Sequence, residues 1–274
     1  MIRWRWPFSL VCLLCCTAQA NAADVLRDVS YGSAASQRMD VYPPDGAHDA
    51  PIIVMVHGGA WMFGDKRNGG VVQPKASHWQ AAGYVFVSID YRMVPQADPL
   101  QQAKDVAAAL AYVQRHAGEW GGDPSRVVLM GHSAGAHLVA LLSSAPALAR
   151  QQGAQRWLGT VSLDAGAIDV PALMTMPHAG FYDRVFGSDA AYWQSVSPLA
   201  QLGREALPIL LVCSSKRVLS CPNNRSYAQR ARSLGANASV LEVPLTHGEI
   251  NGTLGAPSAY TGSVDAFLRS LGLP

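Results

Sequence analysis

The chain has 274 residues, of which 49% are apolar and only 15% charged, a balance that excludes a disordered or fibrous chain and suits one domain with a large buried core. Its 21 basic and 19 acidic residues leave a formal charge of +2, too even for a nucleic-acid footprint, so a small neutral partner is expected.

In chain order, the first unit is a leader. Arg3 and Arg5 precede the apolar "FSLVCLLCC", and "TAQANA" offers small-x-small cleavage sites at Ala20 or Ala22. Residues 1–22 are therefore read as a secretory signal peptide and 23–274 as one domain, exported to the periplasm or medium. The apolar run is about half of the roughly 20 residues that span a bilayer, so no stable membrane anchor is expected once the leader is removed. A lipoprotein signal fits less well, because Cys15 stands before Cys16 where such signals carry a small residue. Cleavage leaves Cys213 and Cys221, an even pair with seven residues between them, and a local disulfide is expected in an oxidising compartment.

Beyond the leader, "QRMDVYPP" alternates like an antiparallel edge strand. Apolar runs at 51–57, 84–90, 126–131, 157–164, 207–213 and 238–243 then read as buried strands. Helical patterns stand between them: "DPLQQAKDVAAALAYVQRH", "SAGAHLVALLSS", "NNRSYAQRARSLG" and the final "YTGSVDAFLRSLG". Strands buried on both faces and separated by helices imply an α/β fold, a mainly parallel twisted sheet with helices on both sides. The stretch from about 165 to 205 is irregular and rich in Pro, Gly, Met and aromatics. A small cap over a pocket and an ordinary surface excursion both fit it.

Two motifs carry chemistry. "GHSAG" (131–135) ends one apolar strand and opens an alanine-rich helix, the context of a nucleophile elbow. Its glycines permit the tight turn that lifts the Ser133 hydroxyl above the sheet, while the Ala134 N–H and the positive helix end can stabilise a negative oxygen. "HGGAW" (57–61) follows an earlier strand, and its glycines bring backbone N–H groups close to one point. Gly59 and Ala60 are the expected donors of an oxyanion hole, with Trp61 and Phe63 as pocket walls. No phosphate loop, dinucleotide fingerprint or metal-spaced His/Cys cluster occurs, so no cofactor or metal is expected.

With these motifs, "HGGAWMFGDK", "VSIDYRMVPQ", "WGGDPSRVVLMGHSAGAHLVALLS", "SPLAQL" and "THG" in that order, the sequence resembles the α/β-hydrolases, in the carboxylesterase and lipase branch with an HGG-type oxyanion loop. That branch includes hormone-sensitive-lipase-like and feruloyl-esterase-like proteins. The resemblance implies Ser133 as nucleophile and, after the last strand, His247 as general base. Of the other histidines, His57 is expected to bond within its own loop and His132 and His137 to pack around the elbow, while His48, His78, His116 and His178 lie elsewhere.

The family's usual acid follows the strand "LPILLVC", and here no Asp or Glu occurs between Glu205 and Glu242. Asp164, one strand earlier, is the favoured substitute; Asp169, Asp183, Glu249 and the amides Asn223 and Asn224 are alternatives. Lys216 and Arg217, in the loop that lacks the acid, are expected to face solvent or an anionic substrate at the rim. The function implied is an exported serine hydrolase that cleaves small-molecule carboxylic esters through an acyl-serine. An amidase or formamidase on the same residues is the nearest alternative. A non-catalytic binding shell that has lost its acid is the alternative from another class.

Overall fold

The computed structural model describes residues 1–2 and 24–274, so the expected leader beyond its first two residues, with its cysteines, lies outside the described residues. Among the described residues, eight strands form one sheet: β1 (Leu26–Ser30), β2 (Arg38–Tyr42), β3 (Ala50–Val56), β4 (Val85–Ile89), β5 (Gly122–His132), β6 (Gly159–Leu163), β7 (Ile209–Ser214) and β8 (Ala238–Val243). They are ordered β1-β2-β4-β3-β5-β6-β7-β8, and every pairing from β4 to β8 is parallel. The antiparallel "QRMDVYPP" strand is not an edge. It is β2, paired with β4 on one side and on the other with β1, a charged and largely exposed strand without an apolar repeat.

The period of two along each strand builds both cores. Ile52, Val54 and Val56 of β3 pack with Leu129 of β5 against Val106 and Leu110 of helix Pro99–His116 and Leu138 and Leu142 of helix Ala134–Ser144. Their neighbours Ile53, Met55, Val128 and Met130 face the other way, toward Trp79 of helix Lys75–Ala81 and Val264 and Leu268 of helix Ala259–Ser270. All seven residues of β3 are buried, as a central strand covered on both faces requires.

Parallel strands present all their carboxyl ends on one edge. There His57 follows β3, Ser133 follows β5, Asp164 follows β6, and His247 lies four residues beyond β8. The 165–205 stretch leaves the same edge and forms three short helices, Val170–Thr175, Phe181–Phe186 and Ala190–Ser195. Among the described residues no helix is long and apolar enough to cross a membrane.

Candidate active site

The elbow begins with close packing. A side-chain carbon on Gly135 would stand 2.3 Å from the Val56 carbonyl oxygen and 2.5 Å from that of His57, so only glycine lets this helix start so near β3. Ser133 is held at φ 57°, ψ −113°, and its N–H donates to the Leu163 carbonyl at 3.0 Å. Ala60, Trp61 and Asp164 also have φ between 52° and 60°, in a region that residues with a Cβ seldom occupy. Such backbone persists only where surrounding contacts over-determine it, and these four positions gather at one sheet edge.

The "HGGAW" loop is a tight turn in which the Gly59 carbonyl accepts from the N–H groups of Met62 and Phe63. Gly59 has φ +123°, and a Cβ there would meet the Phe63 carbonyl at 2.0 Å. The N–H groups of Gly59 and Ala60 make no hydrogen bond among the described residues, and both residues line the cavity. His57 bonds within its loop, its Nδ1–H donating to the Gly58 carbonyl at 2.7 Å, and it stacks on Tyr91 at 4.5 Å. Behind the loop, buried Lys66 ties β1 and β4 together. Its ammonium donates to Asp28 (2.9 Å) and Asp90 (3.1 Å), and its backbone N–H to Asp90 (2.6 Å).

Ser133, His247 and Asp164 come together in one line of contacts. His247 Nδ1–H donates to Asp164 Oδ2 at 2.6 Å, and His247 Nε2 lies 2.9 Å from the Ser133 hydroxyl oxygen. Asp164 is fully buried. Burial alone would raise its pKa, but hydrogen bonds from His247 and Ser220 and the charge of Arg217 outweigh it, holding the carboxyl well below the usual range. The other proposed acids are engaged elsewhere. Asp169 caps helix Val170–Thr175, Asp183 pairs with His178 at 3.0 Å, and Glu249 closes a capping box with Thr246. Asn224 is buried and donates to the Ser220 carbonyl, while the Asn223 N–H bonds the Leu219 carbonyl.

The acidless loop has a different part from the one expected. Ser214 N–H donates to Asp164 Oδ1 at 3.1 Å, the Ser220 hydroxyl donates to the same oxygen, and Arg217 Nη1 donates to Oδ2 at 2.7 Å. Lys216 does face outward, 3.7 Å from exposed Glu249, but Arg217 turns in against the acid. Cys213 and Cys221 are disulfide-bonded and bracket the three donors. The sequence held one usable sign of this: a buried carboxylate needs donors, and the loop beside it is rich in Ser and Arg.

Two histidines read as packing residues hold the site from behind. His132 Nε2–H donates to the His247 carbonyl at 2.9 Å, and burial first, then the nearby His247, pushes its pKa down to about 3, so it stays neutral. His137 Nε2–H donates to the Val196 carbonyl at 2.7 Å while Nδ1 accepts from the Trp61 indole at 3.1 Å; burial lowers its pKa to about 4. Trp61 is itself buried and stacks edge-on with Phe186 at 5.0 Å, whereas Phe63 stands at the mouth, 67% exposed. Phe181 and Tyr182 of the 165–205 stretch complete a cavity of about 750 Å³. Among the described residues no group of three or more His, Cys, Asp or Glu could hold a metal.

Buried Lys75 has no acidic partner among the described residues. Its ammonium donates to the Gly70 carbonyl at 2.9 Å and to that of Asn251, in the short helix that opens with His247. Burial lowers its pKa to about 7. Between that value and the ordinary 10.4 of an unfolded lysine, the unfolded chain binds the extra proton, so stability must rise with pH. Urea unfolding at pH 7 and pH 9 is expected to show Lys75 contributing up to about 1.4 kcal/mol per pH unit, a rise that Lys75→Met removes.

Against known proteins, residues 39–158 match the BD-FAE family. The chain is 37% identical over 117 residues to a probable isoprenylcysteine alpha-carbonyl methylesterase, ICMEL1, of Arabidopsis thaliana, covering 42% of this chain and 24% of that one. To esterase LipC of Mycobacterium tuberculosis it is 28% identical over 235 residues, 80% of this chain and 58% of the relative. The chain thus spans less than two thirds of the length of these curated relatives. Among solved structures, a truncated carbohydrate esterase from gut microbiota superposes with a TM-score of 0.75 at 20% identity, over 93% of this chain and 99% of that one. Thermogutta terrifontis esterase 2 gives 0.74 at 21%, over 93% and 96%. The α/β-hydrolase fold recurs in both solved structures, and the likeness to the BD-FAE family lies mostly in the first half of the described chain.

Proposed function

We propose that the protein is an exported serine hydrolase that cleaves small-molecule carboxylic esters through an acyl-Ser133 intermediate. The observation that carries this reading is the unbroken run of hydrogen-bond distances from Asp164 through His247 to the Ser133 hydroxyl. With Asp164 ionised, Nδ1 keeps its proton and Nε2 is the free base, the tautomer that accepts the hydroxyl proton as Oγ attacks. The tetrahedral oxygen then takes its negative charge facing the N–H groups of Gly59, Ala60 and Ala134. The last of these sits at the positive end of an 11-residue helix. His247 returns the proton to the leaving alcohol and next activates water to release the acid. Names of the relatives support an ester as the bond cleaved, and the Asp164 contact favours an enzyme over a binding shell. The Cys213–Cys221 disulfide supports an oxidising compartment.

A fluorophosphonate probe tests the reading directly. Mass spectrometry is expected to find the adduct on the peptide bearing Ser133, with parallel loss of p-nitrophenyl acetate hydrolysis. A folded protein that hydrolyses the ester without being labelled there defeats it. Hydrolysis of p-nitrophenyl acetate is also expected to exceed that of an N-formyl aryl amine, which separates esterase from amidase.

A further inference from the structure

We propose that Arg217 reads a carboxylate on the substrate, making the protein selective for esters whose acyl chain ends in a carboxylate a few bonds from the scissile carbonyl. The inference rests on the serine hydrolase reading and names its substrate class.

Arg217 is the only Lys or Arg among the described residues that line the cavity, and its side chain is about one third exposed there. Asp65, the carboxylate-bearing residue among the described lining residues, stands on the loop after "HGGAW" and caps the Arg67 N–H at 2.6 Å, on the exposed rim. Only one nitrogen of the Arg217 guanidinium is engaged: Nη1 donates to Asp164, while Nη2 and Nε make no hydrogen bond among the described residues. The free side looks onto the bare face of Gly166. A side-chain carbon there would stand 3.4 Å from Arg217 Nη2 and 3.3 Å from the Tyr182 hydroxyl, so the two donors converge on one point of the cavity wall that only glycine leaves uncovered. A guanidinium edge with a hydroxyl beside it suits a planar carboxylate, and the site lies one imidazole ring away from Ser133.

The same guanidinium bears on the acid–base pair. Arg217 Nη1 and His247 Nδ1 donate to the same Asp164 oxygen and stand 3.2 Å apart, two donors crowded on one acceptor. With no anion bound, the guanidinium charge opposes the positive charge that His247 gains as it takes the serine proton. A substrate carboxylate on Nη2 offsets that charge, so recognition raises kcat as well as lowering KM.

Monomethyl glutarate and its neutral counterpart methyl valerate, followed by pH-stat at low and high ionic strength, provide the test. Wild type is expected to favour the carboxylate ester at least tenfold in kcat/KM, with the preference shrinking in salt. Arg217→Gln, which keeps a donor for Asp164, is expected to remove the preference with both kcat and KM altered for the anionic ester. Gly166→Ala, whose methyl would press on Nη2 at 3.4 Å and on the Tyr182 hydroxyl at 3.3 Å and crowd the place of the carboxylate, is expected to cut the preference through KM. Equal or better turnover of methyl valerate by wild type overturns the proposal, as does a preference that survives in both variants. Turnover of neither ester together with absence of fluorophosphonate labelling defeats instead the hydrolase reading on which it rests.

Discussion

Ser133→Ala is expected to lower kcat for p-nitrophenyl acetate by about a millionfold, the scale seen when a serine nucleophile is removed from an intact site. The size follows from the arrangement around one atom. The Ser133 hydroxyl is the group at hydrogen-bond distance from His247 Nε2, lifted by a backbone that few residues adopt. Without it His247 has no proton to take at that position, and what remains is the pull of the Gly59, Ala60 and Ala134 N–H groups on a carbonyl oxygen, about a thousandfold over water. Alanine meets the same backbone restriction at φ 57° as serine does, so thermal unfolding should scarcely move. A variant with wild-type Tm that retains a hundredth of the activity would transfer the nucleophile's role elsewhere.

Asp164→Asn is the second large effect, about ten thousandfold in kcat. An amide keeps the shape but can present its NH2 to His247, turning the ring to the tautomer that carries its proton at Nε2 and cannot accept one from serine. It also removes the charge on which Arg217 and Ser220 converge. Asp183→Asn and Glu249→Gln, whose carboxylates serve a histidine pair and a helix cap, are expected to stay within a few-fold of wild type. The acid limb of stability should follow Asp164 as well. A carboxyl held below its ordinary value stabilises the fold above about pH 4, and this contribution fades as pH falls through the lowered value in the native state. Asp164→Asn should therefore flatten the loss of stability between pH 4 and pH 2, measurable by urea unfolding.

The parts of this site that could be read from the chain are those set by neighbours in sequence. "GHSAG" and "HGGAW" are legible because backbone approaches of 2 to 3 Å leave room for nothing but glycine, and that demand falls on adjacent residues. The buried strands are legible for a similar reason, since a strand covered on both faces admits only apolar side chains. β1 escapes because its residues are mostly exposed and its stability comes from pairing and from Asp40 and Lys66, not from an apolar repeat. Arg217 escapes for a deeper reason. An arginine in an exposed-looking loop is ordinarily solvated, and its inward turn depends on a carboxylate 53 residues away in the chain. The three short helices of the 165–205 stretch are hidden likewise, because Trp61, His137 and the Val196 carbonyl, not local periodicity, hold the segment down.

Asp164, the acid in the proposed mechanism, sits in a surrounding that works as a fixed solvent. A carboxylate in water is cradled by molecules that must reorient whenever the charge beside it changes. Around Asp164 that task falls to a peptide N–H, a hydroxyl and a guanidinium, fastened between two joined cysteines and already pointing the right way. In the proposed mechanism, each time the imidazole gains or loses its proton these dipoles have little to rearrange, which lowers the reorganisation that a mobile aqueous shell would impose.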